Sequence, residues 1–230
     1  MSNRTTPQEG EESRESRPAP DFSRYMVNDS FTNSISSPAT AGEERRRLTR
    51  QQLVETAATL SERDREILTA AQRYRYLLTG QIQRLYFYTA ATPTAAHRAA
   101  ARSLKRLRGL GLVDHLARRI GGVRAGSGGL VWHLTHAGER LLRLNEQSAS
   151  PVRRFFEPSP YFLAHSLAVA EVAVHLTEIC REQHGMKLTA LQPEPECWRT
   201  YSEYGSMLSL KPDLFAIAVS GQYEDRWFIE

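Results

Sequence analysis

The chain has 230 residues, is 40% hydrophobic and 24% charged, and carries a net charge of +4, which fits a protein of one or two globular domains. No apolar stretch reaches the ~18 residues that cross a bilayer, and no charged-then-apolar leader opens the chain, so no membrane partner is expected and a cytoplasmic location is. The two cysteines, Cys180 and Cys197, make neither a disulfide framework nor a zinc site.

The charge is unevenly spread. Residues 1–60 hold 8 Lys+Arg against 9 Asp+Glu, residues 61–144 hold 15 against 5, and residues 145–230 hold 7 against 12. The net charges are therefore −1, +10 and −5, and the basic middle block points to a nucleic-acid contact.

Residues 1–58 read as a disordered tail. The stretch "MSNRTTPQEGEESRESRPAPDFS" has almost no aliphatic residues and cannot bury enough apolar area to offset its ordering entropy. A short helix over Arg47–Ala58 is the one element this segment allows.

Residues 59–145 read as helix, helix, helix, strand, turn, strand, helix. Ser61 caps the first helix, with Glu62 and Asp64 in its first turn. "LLTGQIQRLYF" reads as a second helix capped by Thr79, with Ile82 and Leu85 inward. In "TPTAAHRAAARSLKRLRGLGLV", Thr92 is a cap and Pro93 takes the first helical position, where a missing N–H costs nothing. Ala96, Ala100, Leu104 and Leu107 recur at helical spacing as an inward stripe. Gly109 and Gly111 stop the helix. "LVDHLARR" and "LVWHLT" are strands around the glycine-rich tip "IGGVRAGSGG", and Thr135 caps a last helix, "THAGERLLRL".

This order resembles a winged helix-turn-helix. Arg98, Arg102 and Lys105 are spaced i, i+4, i+7 and share one face of the third helix, away from the apolar stripe. In a winged helix that face enters the major groove of double-stranded DNA, where Arg pairs with guanine edges and the other cations meet phosphate. Arg108 at the helix end belongs to the same basic set. Arg118, Arg119 and Arg124 flank the tip and would reach backbone or minor groove. The alternative is a solvated charged face on a protein-docking fold. His97 reads as a polar surface residue.

Residues 146–158 are a linker in the proline-bearing string "NEQSASPVRRFFEPSPYF". Residues 159–230 start with a long helix, "YFLAHSLAVAEVAVHLTEICREQHG", and continue as three strands, "MKLTALQPEPECWRTY", "LKPDLFAIAVSG" and "RWFIE". Pro212-Asp213 before one strand and Glu230 at the end of the next match the opening of nucleases that hold Mg²⁺ on carboxylates from two adjacent strands, with an acid often added from the preceding helix. The metal polarises phosphate and activates water. Here that helix acid is Glu171, which sits between Ala170 and Val172 in an apolar stretch. A lysine two positions past Glu230 would complete the pattern. On the other reading, Asp213 caps a turn and Glu171 and Glu230 face water. His165 reads as a polar residue at a helix start. No P-loop, Gly-x-Ser-x-Gly elbow, dinucleotide fingerprint or His-Glu-x-x-His is present.

A winged helix followed by "HSLAVAEVAVHL", "KPDLFAI" and "WFIE" resembles the replication-relaxation family of bacterial plasmids and integrative elements. His165 and Glu171 match the family's helix, and Glu171, Asp213 and Glu230 fall at its acidic positions. The resemblance implies an α+β fold, with a winged helix-turn-helix and a partial restriction-endonuclease-like α/β domain that this sequence is expected to break off inside. It implies DNA binding in plasmid replication, DNA relaxation or element transfer. If the chain is catalytic, Mg²⁺ on Asp213 and Glu230 is implied, as in a nickase. A transcriptional regulator with a C-terminal dimerisation or partner-binding domain is the remaining alternative. A second copy of the chain or other plasmid replication and transfer proteins are the protein partners to expect.

Overall fold

The computed structural model describes residues 48–116, 129–144 and 157–230. Helix α1 (Arg50–Thr59) is followed by α2 (Glu62–Tyr74), strand β1 (Leu77–Leu78), α3 (Thr79–Tyr86), α4 (Pro93–Gly109), β2 (Val113–His115), β3 (Val131–Leu134) and α5 (His136–Leu142). A long helix α6 (Pro160–Glu182) then leads into β4 (Met186–Pro193), β5 (Arg199–Glu203), β6 (Ser206–Leu210), β7 (Leu214–Ser220) and β8 (Tyr223–Ile229). The fold class is α+β, as the sequence led us to expect.

Local chemistry sets the helix starts. Ser61 Oγ accepts from Asp64 N (3.2 Å) and Asp64 Oδ2 accepts from Ser61 N (2.9 Å), a reciprocal cap on α2. Thr92 Oγ1 accepts from Ala95 N (3.1 Å) at the start of α4, just before Pro93. Ala96, Ala100, Leu104 and Leu107 are the buried stripe of α4. Thr135 Oγ1 accepts from Gly138 N (3.1 Å) to cap α5. Gly138 has no alternative there, because a Cβ would lie 2.2 Å from the Leu112 carbonyl oxygen.

Three features depart from the sequence reading. Helix α1 is the short helix expected over Arg47–Ala58, but it is seated on the core rather than left in a tail, with Leu53 buried beside Ile67, Leu68 and Leu104. Leu48, Ala57 and Leu60 pack beside it and seat the otherwise polar helix. Leu77 and Leu78, which precede the cap expected at Thr79, form an unexpected strand β1, paired with Trp132 and Val131. Thr79 is consequently inside α3 rather than its cap. Its hydroxyl accepts from Trp132 Nε1 (2.9 Å), and Gln81 Oε1 takes the Leu78 N–H (2.9 Å). Third, "RTYSE" and "SMLSL" form the hairpin β5–β6, absent from the expected helix and three strands.

The first sheet is antiparallel in the order β1-β3-β2, so the last strand is central. The second is antiparallel in the order β4-β7-β8, with Leu214, Phe215, Ala216 and Ala218 of β7 buried and β8 almost wholly exposed. Helix α6 serves both units. Its Leu163 and Leu167 pack with Tyr76, Leu116 and Val131, and Ala170 joins the core of the first unit. The same helix packs on β4 and β7. The glycine-rich tip and most of the linker, like residues 1–47, lie outside the described residues.

Candidate nucleic-acid interface and acidic site

Helix α4 is held from behind by its apolar stripe, so its outer face is fixed in orientation. His97, Arg98, Arg102 and Lys105 are exposed on it. None of the three cations pairs with an acid among the described residues, whereas their neighbours do. Arg106 bonds the buried Asp64, and Arg108 Nε donates to Asp114 Oδ1 (2.9 Å). Arg108, still half exposed, differs from the other cations of that set in having an acidic partner. Burial alone would raise the Asp64 carboxyl, but bonds from Arg106 and Ser61 outweigh it and hold the group below its ordinary range. Arg118, Arg119 and Arg124 lie outside the described residues.

The three candidate acids are divided between two places. Asp213 and Glu230 are at the same end of the second sheet. Asp213 N donates to Ile229 O (2.9 Å), one residue before Glu230, and Asp213 O accepts from Glu194 N (3.0 Å). Strands β7 and β8 are in register from Leu214↔Ile229 to Ser220↔Tyr223. The Asp213 carboxylate meets an imidazole from α6, with His165 Nε2 3.4 Å from Asp213 Oδ1 and each side chain about one-third exposed. His165 thus has a specific partner that spacing alone did not reveal.

Glu171 is elsewhere. Six residues past His165, about 9 Å along the helix, it faces α3 and is 6% exposed. Arg84 of α3 bonds both Glu171 and Glu178, with Nε donating to Glu178 Oε1 (2.8 Å). Gln81 Nε2 donates to Glu171 Oε2 (3.0 Å) and to Leu167 O (3.1 Å). His175 Nε2 is 3.2 Å from Glu171 Oε1 while its Nδ1 accepts from Arg84 (3.3 Å), consistent with the Nε2–H tautomer. The Arg84 bond to Glu178 holds that carboxyl below the usual range, against burial. Glu171 is a buried acid satisfied by a clasp between the two units. An acid in an apolar stretch needs a partner, and Arg84 and Gln81, about ninety residues away in sequence, supply it.

Among the described residues no three His, Cys, Asp or Glu side chains are grouped as a metal site. What the sheet end offers is two carboxylates, Asp213 and Glu230.

A family model described as replication-relaxation matches residues 68–230, from within α2 through β8 to Glu230. No curated protein and no solved structure matches the chain. The matched stretch takes in both α4 and the acidic sheet end. The chain belongs to the replication-relaxation family.

Proposed function

We propose that the protein binds double-stranded DNA for a bacterial mobile element through a winged helix-turn-helix spanning α2 to β3, with α4 as the recognition helix. The observation that carries this is the face of Arg98, Arg102 and Lys105. Three exposed cations, free of acidic partners among the described residues, lie in a block of net charge +10. The order of elements and the central position of β3 support the winged-helix assignment. Arg98 and Arg102 have the reach and fork geometry for guanine O6 and N7, and Lys105 suits a phosphate.

Replacing all three with Ala should weaken binding by several kcal/mol, at about 1 kcal/mol or more per contact. It should also lower the salt slope of log K by about 0.9 for the Lys105 contact to phosphate. Mobility-shift titrations at several salt concentrations measure both. Unchanged affinity at low salt would remove α4 from the interface.

A second reading, a Mg²⁺-dependent nickase, is favoured by one observation, the meeting of Asp213, His165 and the end of β8. Asp213 and Glu230 would hold the ion, which when bound supplies phosphate polarisation and water activation. Asp213 presents its carboxylate from a backbone fixed by two hydrogen bonds, and His165 orients that carboxylate. Glu171 has a positioning role through Arg84. Supercoiled plasmid incubated with Mg²⁺ or Mn²⁺ beside Asp213→Ala decides it. Metal-dependent nicking lost in the variant makes the chain an enzyme, and binding without nicking leaves a DNA-binding protein or a regulator.

A further inference from the structure

Between α2 and β1 the chain turns on Arg75 with φ 65° and ψ −49°, and Tyr76 N donates to Tyr74 O (2.7 Å). This is the γ-turn with positive φ, the rare and strained form. Glycine would adopt it without a Cβ clash, yet an arginine stands there. Non-glycine residues persist in such conformations when surrounding structure over-determines them, and they cluster at functional sites.

The turn gives Arg75 a defined set of neighbours. The Arg75 guanidinium lies 5.5 Å from the ring centroid of Phe162, in the first turn of α6. It lines a narrow cleft with Arg73, His165, Pro193 and Glu194, residues from α2, α6 and the end of β4. His165 is the partner of Asp213, and Glu194 N is bonded to Asp213 O. Arg73 is drawn toward Glu196 (3.7 Å). Arg75 is therefore the cation of this cleft with no carboxylate partner among the described residues. It comes from the basic unit and stands at the acidic end of the other.

We propose that Arg75 is a phosphodiester-binding residue, gripping the DNA backbone beside Asp213 and extending the contact made by α4 into the second unit. The proposal rests on the DNA-binding reading above. Arginine suits the task because its planar fork binds two phosphate oxygens at once. Glu194 and Asp213 would repel a bare anion, so the contact is made by a backbone already held through α4, and it strengthens when a divalent cation offsets the acids.

Two variants test it. Arg75→Gly removes the guanidinium and relieves the turn, and Arg75→Gln removes the charge and keeps the turn. Labelled duplex is titrated in Ca²⁺, with hydroxyl-radical footprints and thermal unfolding of the same proteins. Both variants should bind about tenfold more weakly and lose backbone protection at one edge of the footprint. Arg75→Gly should melt a few degrees higher than the native chain and Arg75→Gln at about the same temperature. If both bind within twofold of the native chain with an unchanged footprint, Arg75 is only a strained connector and the proposal falls. If the native chain itself binds no DNA, the reading beneath it falls as well. If binding depends on Arg98, Arg102 and Lys105 but not on Arg75, only this proposal falls.

Discussion

Replacing Arg84 with Ala would open the clasp between α3 and α6. Glu171, 6% exposed, would lose its cationic partner and retain Gln81 and His175. Breaking a fully buried ion pair by removing one member costs about 3–5 kcal/mol, because the remaining charge stays desolvated. The Arg84 side chain is 28% exposed, so water can reach part of the vacated space. Gln81 still donates to Glu171 as well. Those two effects bring the expectation to about 2–3 kcal/mol, or roughly a 5–10 °C fall in melting temperature for a domain of this size. Glu171→Gln should cost less, since it leaves no buried charge and Arg84 keeps Glu178. Urea denaturation followed by far-ultraviolet circular dichroism measures each. In the double variant the losses should fall short of their sum by a kcal/mol or so. A loss below about 0.5 kcal/mol for Arg84→Ala, the size of a surface substitution, would refute the view that this clasp bears on stability.

Two other predictions concern the packing. Leu167 is 0% exposed where α6 meets Tyr76, Leu116 and Val131. Leu167→Ala should cost about 2–5 kcal/mol by transfer and cavity terms, and a loss under 1 kcal/mol in the same denaturation assay would show that α6 does not depend on this contact. Asp64 has its folded pKa depressed below the ordinary carboxylate value. Its contribution is therefore fully present above the unfolded pKa of about 3.9 and is lost as pH falls through the lower folded value. The stability gap between the native chain and Asp64→Asn should shrink from about pH 5 toward pH 2. A gap constant over that range would mean Asp64 is not held as a carboxylate by Arg106.

Helix α4 was readable because every local signal agreed. Thr92 and Pro93 mark its start, Gly111 with its positive φ marks its end, Gly109 being still helical, and the alanine and leucine stripe has a single period. The basic face followed from the same periodicity. Strand β1 was not readable, since two leucines before a helix carry no period of their own. Only pairing with Trp132, more than fifty residues later, makes them a strand. The β5–β6 hairpin escaped because its residues are exposed on both faces, so no alternation of apolar and polar side chains announces it. At the acidic site, the adjacency of Asp213 to the end of β8 follows from a hairpin turn at Gly221 and was within reach. The separation of Glu171 was not, because it depends on which way α6 turns. Residues 163, 167 and 170 face the first unit, and Glu171 goes with them toward α3.

That rotation of α6 has a consequence for how the two units act. Leu163, Leu167 and Ala170 bury one side of the helix against the first unit, and Arg84, through Glu171 and Glu178, fixes it about its axis. His165, on the same helix, reaches Asp213. Rotating α6 enough to release His165 from Asp213 would also draw the Glu171 carboxylate away from Arg84 and expose leucines that are fully buried. Each loss is of the order of kcal/mol, and all would occur together. Helix α6 is accordingly held in one rotational setting between the two units. Arg84→Ala should therefore loosen the seat of α6 on α3, and with it the His165–Asp213 contact on the same helix.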